Sequence, residues 1–341
     1  MNDLSAETLR AARRDSTLRP LDLAQSLGVP EAALLNAELG TGVTRIDPKP
    51  GRLIPLAGAL GEVMALTRNR SCVIEKVGTY REFHDGDHAA MTLDAEIDMR
   101  MFPRHWVHGY VVELDGKRSV QVFDAAGDAI HKIHLRAESG AAALAVLRDT
   151  LALSDQTPPT FAERAAPEGA RMAPDRADAL REDWGRMTDT HQFNALVRRL
   201  KMNRLGAYRV AGAPLVRPLA IAAVPALLDR VAETGQQVMM FVGNMGCIEI
   251  HSGGFGNVKP MGPWLNVLDD RFNLHLRGDQ VAEVWAVDKP TKRGSALSVE
   301  AFDAAGELIF QCFGMRSEKG GDPRTWAALV ADLPAAVEVA A

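Results

Sequence analysis

The segment TDTHQF at 188–193 combines a histidine with residues that commonly begin helices. Thr188 or Asp189 can accept hydrogen bonds from the first free backbone N–H groups of a helix, which puts His191 in its first turn. Apolar residues follow at helical spacing, namely Phe193, Leu196, Val197 and Leu200. An imidazole in this position can hydrogen-bond locally and face solvent, or it can bind a metal through one ring nitrogen.

The sequence around His191 leaves both possibilities open. It contains no cysteine and no second histidine within ten residues, which favours the solvent-facing interpretation. However, haem iron is commonly held by a lone histidine on one axial face. Residue spacing cannot separate the two interpretations.

The elements around this segment belong to a duplicated unit. VFDAAGDAI at 122–130 returns as AFDAAGELI at 301–309, and VMALTRNRSC at 63–72 aligns without a gap with VMMFVGNMGC at 238–247. A long repeat that occurs twice favours two similar domains over a solenoid. We therefore predict a first repeat over 1–155 and a second over 184–341. The Ala-, Pro- and charge-rich segment 156–183 is predicted to link them.

Each repeat is predicted to contain antiparallel strands. Short alternating runs fill about 44–136 and 236–316, and each Asp-Ala-Ala-Gly sequence is typical of a hairpin turn. The turns are too short for crossover helices. With helical segments at 3–38, 141–153 and 193–200, the fold class is α+β, built as two tandem repeats of an antiparallel sheet with helices.

Composition excludes several classes of protein. The formal net charge of −5 implies no general affinity for nucleic acid. The three cysteines form no CxxC motif, which fits a reducing cytoplasm, and no apolar run has the length of a signal peptide or of a membrane span. We therefore expect a cytoplasmic protein without membrane insertion.

The segment 20–38 imitates a helix-turn-helix. Its second predicted helix, PEAALLNAEL, carries Glu31 and Glu38 and no Lys or Arg to contact phosphates. We predict a small helical cap and no nucleic-acid partner. A haem-responsive DNA regulator remains an alternative that a binding assay at low salt would exclude.

Longer segments resemble a known family. TRNRSCVIEKVGTY, DMRMFPRHW, TDTHQF, GPWLNVLDDRFNLHLRGDQVAEVWAVDKPT, VEAFDAAGELI and FGMR, in this order along nearly the whole chain, are similar to the HemS/ChuS/HmuS family of bacterial haemin-degrading and haemin-transport proteins. The resemblance implies that one haem b lies in a cleft between two antiparallel halves. It also implies that His191 is the axial iron ligand.

The resemblance assigns further cations to the haem. Arg204, Lys289 and Arg316 match positions that neutralise the two propionates, and Arg guanidinium groups can bind both oxygens of a carboxylate. Arg204 lies thirteen positions after His191, about 220° around an unbroken helix, so a break is needed, and Asn203 can cap a new helix there. Arg100 is placed over the open face of the haem, on the sheet face opposite Met99.

The chain departs from the family pattern at Asp288 and Met315, which precede Lys289 and Arg316. As strand neighbours, Asp288 and Lys289 are expected to point to opposite faces. Other histidines are alternative ligands that we interpret as structural or solvent-facing: His84, His88, His105, His108 and His251. Cys72 and Cys247 match in the repeat and are predicted to pack in the core.

Two functions follow from the resemblance. In the favoured one, haem is both ligand and substrate, His191 and Arg100 are the catalytic residues, and the ring is opened with dioxygen and electrons from ascorbate or an NADPH reductase. In the alternative, the protein carries haem from an ABC importer to a separate haem oxygenase or to other haem proteins. Both serve iron acquisition and both use the same residues.

Overall fold

A computed structural model describes residues 4–136 and 140–336. The helices of these residues are α1 (Ala6–Asp15), α2 (Pro20–Leu27), α3 (Glu31–Asn36), α4 (Pro50–Ala57), α5 (Ala141–Leu151), α6 (Ala177–Gly185), α7 (Gln192–Arg199), α8 (Arg204–Ala211), α9 (Ala223–Thr234) and α10 (Pro323–Ala331). The strands in the first half are β1 (Val43–Ile46), β2 (Val63–Arg68), β3 (Cys72–Gly78), β4 (Phe83–His84), β5 (Ala90–Leu93), β6 (Asp98–Met101), β7 (His108–Leu114), β8 (Lys117–Phe123) and β9 (Ala129–Leu135). Those in the second half are β10 (Val216–Leu219), β11 (Val238–Gly243), β12 (Cys247–Gly253), β13 (Val258–Met261), β14 (Trp264–Leu268), β15 (Phe272–Arg277), β16 (Val281–Thr291), β17 (Gly294–Asp303) and β18 (Leu308–Gly314).

The chain folds into two compact units. Unit 1 contains the described residues up to Arg68, together with Ile74–Ala165 and Gly243–Ile250. Unit 2 contains Asn69–Val73, Ala166–Val242 and the described residues from His251 onward. Each unit therefore includes a short turn-and-strand segment from the other half of the sequence.

Unit 1 is an antiparallel sheet with the strand order β1-β7-β8-β9-β2-β3, and a smaller antiparallel group in which Cys247–Ile250 of β12 pairs with β6, followed by β5 and β4. Apolar residues alternate along the strands, so one face of the main sheet packs on α4 and α5. Trp106 is fully buried there, and its indole Nε1 donates to the carbonyl of Gly246 at 2.7 Å. The segment 243–250 is thus part of the core of unit 1.

Unit 2 repeats this plan with the antiparallel order β10-β16-β17-β18-β11 and a separate hairpin group β15-β14-β13. Its core under the main sheet is formed by α6, α7 and α8, with Trp184, Phe193 and Tyr208 all buried. The prediction of two repeats built from antiparallel sheets and helices is confirmed.

The two Asp-Ala-Ala-Gly hairpins have the same geometry. Asp124 Oδ1 accepts from the backbone N–H groups of Ala126 and Asp128, each at 2.9 Å. Asp303 Oδ1 accepts from those of Ala305 and Glu307, also at 2.9 Å. The glycine that closes each turn, Gly127 or Gly306, has a positive φ near 80°, which only glycine adopts without strain. The sequence repeat is therefore a repeat of hydrogen bonds as well.

The predicted linker is only partly irregular. Its C-terminal part is helix α6, whose Leu180 and Trp184 are buried in unit 2. The composition of 156–183 does not indicate this helix, because two well-spaced apolar side chains are enough to fix one short helix against a core. The assignment of 156–183 as a linker stays a prediction.

In the described parts of the chain, every helix is too short or too polar to cross a lipid bilayer. The segment that imitates a helix-turn-helix forms α2 and α3. Glu31 at the start of α3 is buried and paired with Lys132 and Arg68. This face of α3 is therefore occupied by contacts within unit 1.

Candidate functional site

Unit 2 contains four of the five predicted site residues, His191, Arg204, Lys289 and Arg316. Arg100 belongs to unit 1. The geometry of each group is described below within its own unit.

His191 lies in a tight turn immediately before α7. The backbone N–H of His191 donates to Asp189 Oδ1 at 2.8 Å, and Gln192 Oε1 accepts from the backbone N–H of Thr188 at 2.8 Å. These side chains satisfy groups that the start of a helix leaves unpaired. The helix begins at Gln192. His191 therefore lies at the position before the helix and not, as the sequence predicts, in its first turn.

The imidazole of His191 is held in one orientation yet open to solvent. Its Nδ1 lies 2.6 Å from Asp189 Oδ1, while 95% of the side chain is exposed. Hydrogen bonds from the backbone and the imidazole of His191 lower the pKa of Asp189, and Arg316 contributes in the same direction. Since this carboxylate can only accept, Nδ1 carries the proton, and in the neutral imidazole Nε2 keeps its lone pair. That is the arrangement of a metal-binding histidine.

Phe193 anchors the His191 turn to the core of unit 2. Its ring is buried, and it lies 4.6 Å from the ring of Trp184 and 5.6 Å from that of Tyr208, measured between centroids. The indole Nε1 of Trp184 donates to the carbonyl of Asp288 at 2.9 Å, which ties α6 to β16. An aromatic cluster thus fixes the residue two positions after the imidazole.

The break between α7 and α8 is confirmed. Asn203 Oδ1 accepts from the backbone N–H of Gly206 at 2.9 Å and caps a new helix that begins at Arg204. Arg204 Nη1 donates to Glu300 Oε2 at 3.0 Å and to Tyr208 Oη at 3.1 Å, and 23% of the Arg204 side chain is exposed. Arg204 therefore combines an ion pair to a buried carboxylate with a partly exposed side chain.

Lys289 is more deeply buried than a direct contact with a haem propionate would require. The residue is 2% exposed, and its Nζ lies 2.7 Å from Glu300 Oε1 and 3.0 Å from Tyr208 Oη. Asp288 points to the other face of the strand, as expected, and its Oδ1 accepts from Ser295 Oγ. Lys289 is thus already paired within unit 2.

Glu300 connects the two cations. Burial alone would raise its pKa, but Lys289 and Arg204 outweigh this effect and lower the pKa of Glu300 to about 2. Burial lowers the pKa of Lys289 to about 8, with Glu300 opposing and Arg204 adding to the decrease. At neutral pH the three groups together carry a net charge of about +1, because two cations share one carboxylate.

Two further elements border the His191 turn. Arg316 follows β18, is exposed, and is close enough to contribute to the low pKa of Asp189. The backbone N–H of Lys292, in the turn between β16 and β17, donates to the carbonyl of Thr188 at 3.0 Å. Arg316 therefore lies near the carboxylate that holds the imidazole, and the β16–β17 turn is hydrogen-bonded to the segment before it.

Arg100 has polar partners of its own in unit 1. It lies on β6 between the buried residues Met99 and Met101, and it points to the opposite face, as predicted. Its Nη1 donates to Asp98 Oδ1 and to the carbonyl of Met99, the latter at 3.0 Å. The predicted placement of Arg100 opposite His191 stays a prediction.

The equivalent place in unit 1 is equipped differently. Leu23 in α2 is buried as Leu196 in α7 is, and five residues before each lie Leu18 and His191. Leu18 is a 53% exposed hydrocarbon where unit 2 has an imidazole. Eight residues after Leu23 and Leu196, unit 1 has Glu31 where unit 2 has Arg204.

Sequence reasoning missed Asp189 as the partner of the imidazole, and it missed Glu300. A signal for Glu300 was available, because the aligned repeats place Gln121 opposite Glu300 and Tyr110 opposite Lys289. The two halves therefore differ at both members of the ion pair.

Among the alternative histidines, His84 and His88 are exposed and His105 and His108 are half-buried. His251 is buried and stacks on Phe272 with 3.7 Å between ring centroids, and Cys72 and Cys247 are buried as expected. Within residues 4–136 and 140–336, no three His, Cys, Asp or Glu side chains are arranged to hold a metal ion.

The chain is similar to known proteins over most of its length. The family model of the haemin-degrading HemS.ChuX domain matches the chain twice, over residues 28–151 and 201–333. The Yersinia pestis hemin transport protein HmuS is 32% identical over 317 residues, which cover 92% of each chain.

Solved structures agree over almost the whole length. Holo-PhuS, a heme-binding protein from Pseudomonas aeruginosa, is 36% identical and superposes with a TM-score of 0.92 over 98% of this chain and 100% of its own. The heme degrading enzyme ChuS from Escherichia coli O157:H7 is 28% identical, with a TM-score of 0.86 over 96% of this chain and 97% of its own.

Proposed function

Because this chain belongs to the family of haemin-degrading HemS.ChuX domain proteins, we propose that it binds one haem b through His191 and degrades it for iron acquisition in the cytoplasm. The observation that carries the proposal is the His191 imidazole, whose Nδ1 is held by Asp189 while its Nε2 is open to solvent. One such nitrogen suffices for an iron that a porphyrin already holds by its four pyrrole nitrogens.

Charge complementarity supports haem as the ligand. Haem carries two carboxylates, and Arg316 and the exposed part of Arg204 offer guanidinium groups in the unit that contains His191. Lys289 shares Glu300 with Arg204 and adds positive charge to the same region. Arg316 and Arg204 would bind and orient the acidic edge of the macrocycle.

Degradation requires dioxygen and electrons from a reductant, for which we propose ascorbate or an NADPH reductase. The work of the protein is orientation: Asp189 fixes the imidazole, and Arg100 is proposed to orient water or dioxygen on the open side of the iron. The similarity to ChuS, which is described as a heme degrading enzyme, supports this function.

A carrier function is the second candidate. The 95% exposure of the His191 side chain favours it, because haem bound at an exposed turn can be transferred to an acceptor protein. The similar proteins HmuS and PhuS are described as a hemin transport protein and a heme-binding protein. In this role the protein would receive haem from an ABC importer and deliver it to a haem oxygenase or to other haem proteins.

A spectroscopic experiment distinguishes the two. Purified protein is loaded with haemin, ascorbate or an NADPH reductase is added with catalase present, and the Soret band is followed. Bleaching that survives catalase supports degradation. A Soret band that persists, together with transfer of haem to apomyoglobin, rejects degradation in favour of the carrier.

A further inference from the structure

Building on the proposed function, we propose that Glu300 and Lys289 are positioning residues for the His191 turn and do not themselves contact the carboxylates of haem. With Arg204 and Tyr208 they form a buried polar cluster. The cluster acts through Phe193, whose ring is held in place by the two cations, Lys289 and Arg204. Glu300 thereby gains a role in haem binding, and Lys289 a different one from the propionate contact that the resemblance implies.

Lys289 is almost completely buried and paired within unit 2. It is 2% exposed, and its ammonium lies 2.7 Å from Glu300 Oε1 and 3.0 Å from Tyr208 Oη. If Nζ moved away to reach a haem carboxylate, Glu300, at 0% exposure, would lose one of the two cations that balance its charge. Removing one partner from a buried ion pair is strongly unfavourable.

Glu300 uses both oxygens to fix the cluster. Oε1 accepts from Lys289 and from Ser298 Oγ, the latter at 2.9 Å. Oε2 accepts from Arg204 Nη1 at 3.0 Å and from Tyr208 Oη at 2.8 Å. A single carboxylate that receives four donors from α8, β16 and β17 determines where each of them lies.

The two cations meet at Phe193. The guanidinium carbon of Arg204 lies 5.6 Å from the centre of the Phe193 ring, and Lys289 Nζ lies 5.1 Å from it. Both distances are within cation–π range. The backbone N–H of Phe193 donates to the carbonyl of Thr190 at 3.2 Å, so a displaced ring would displace the His191 turn.

A purely structural role is the alternative. Buried ion clusters generally contribute little to stability compared with apolar residues of the same volume, and their best attested use is to specify one arrangement. Here the arrangement that the cluster specifies is the packing around the residue two positions after the proposed iron ligand. The position of the imidazole is therefore the property that should change when the cluster is altered.

The test uses Glu300→Gln and Lys289→Met in the full chain, with Glu283→Gln as the matched control. Glu283 pairs with Arg209 in the same unit and has no contact with this cluster among the described residues. Each variant is titrated with haemin and with haemin dimethyl ester, whose carboxylates are masked. Every titration is repeated in the His191→Ala background, and folding is verified by circular dichroism.

We expect Glu300→Gln and Lys289→Met to lose affinity by roughly tenfold, to the same extent for haemin and for its dimethyl ester. Their Soret bands should move toward that of His191→Ala. In the His191→Ala background the same changes should have no further effect, and Glu283→Gln should match the wild type in both backgrounds.

Three results would overturn the inference: a loss restricted to haemin, which would indicate direct carboxylate contact; a loss of equal size in the His191→Ala background; or no loss. If Glu300→Gln does not fold, Tyr208→Phe removes one hydroxyl from the cluster and is held to the same outcomes. A wild type that binds no haem, or binds it as His191→Ala does, would instead refute the proposed function itself.

Discussion

Asp189 Oδ1 lies 2.6 Å from Nδ1 of His191 and 2.8 Å from the backbone N–H of the same residue. One carboxylate oxygen therefore orients both the turn and the ring. Since Nδ1 donates, Nε2 remains the nitrogen that can bind iron, and the negative charge of Asp189 makes it a better donor.

Asp189→Asn should weaken haem binding by about 10- to 100-fold, the usual effect of removing a carboxylate partner from a ligating histidine. The amide can still accept from Nδ1, so the loss would reflect charge more than orientation. Haemin titrations followed at the Soret band measure it. Asp183→Asn, which removes the partner of Arg199 in the same unit, is the control, and equal affinities of the two variants would contradict the role of Asp189.

Arg316→Ala should weaken binding of haemin by roughly 3- to 10-fold and leave binding of haemin dimethyl ester unchanged, because an exposed guanidinium acts on the carboxylates alone. This pattern is the opposite of the one expected for Lys289. Arg186→Ala removes another exposed arginine of unit 2, one that pairs with Glu182, and should affect neither ligand. Equal losses with haemin and its ester would remove Arg316 from the proposed carboxylate site.

Arg100→Ala should leave haemin affinity within about twofold while slowing ring oxidation by about tenfold or more, if Arg100 orients dioxygen or water. Single-turnover bleaching with catalase present gives the rate. Arg100→Lys keeps the charge but not the fork of donors and should be intermediate. Unchanged bleaching in Arg100→Ala would mean that this residue has no part in the chemistry.

Another buried carboxyl, that of Glu249 in unit 1, makes the stability of the protein depend on pH. Its carboxyl is fully buried, and burial raises its pKa to about 8 from 4.5, with a side-chain hydrogen bond from Thr67 opposing the increase. The charge of Lys76 also opposes this increase, whereas that of Glu75 adds to it. His131 Nδ1 lies 3.9 Å from Glu249 Oε2. In the folded state the carboxyl is thus protonated at neutral pH.

The sign follows from the direction of the shift. The folded state binds a proton that the unfolded state releases, so the contribution of Glu249 is complete below pH 4.5 and is lost as the pH rises toward 8. His131, whose pKa is lowered to about 3 from 6.5 chiefly by burial, acts in the opposite sense, but only below pH 6.5. The interval from pH 6.5 to 8 therefore isolates Glu249 from His131.

Between pH 6.5 and 8, the melting temperature of the wild type should fall relative to that of Glu249→Gln by about 2–4 °C. Calorimetry of both proteins across this interval measures the difference. Glu283→Gln, at an exposed ion pair, should show no such trend. A constant difference between wild type and Glu249→Gln would show that Glu249 does not titrate in this range.

Local patterns predicted much of the fold. The repeated hairpins, the helix break at Asn203 and the buried face of β6 each depend on spacing and on one or two side chains, so the sequence contains them. The segments 69–73 and 243–250 could not be assigned to their units this way. Which sheet a strand joins depends on partners far along the chain, and alternation indicates only that it is a strand.

For the candidate site, too, residues identified along the chain were predicted and their distant partners were not. The family resemblance supplied His191, Arg204, Lys289, Arg316 and Arg100, but it did not supply the partner of each charge. Glu300 lies 96 residues from Arg204 and only the fold brings the two together. The depth of Lys289 depends on the packing of α6, α7 and α8 against β16, which spacing along one strand does not reveal.

The proposed function requires that His191 alone hold the iron of one haem per chain. Wild type, His191→Ala and the control His88→Ala are therefore titrated with haemin while the Soret band is recorded. We predict saturation at one haem per chain for the wild type and for His88→Ala, and a shifted Soret maximum with weaker binding for a folded His191→Ala. A His191→Ala spectrum and affinity identical to those of the wild type would contradict the account.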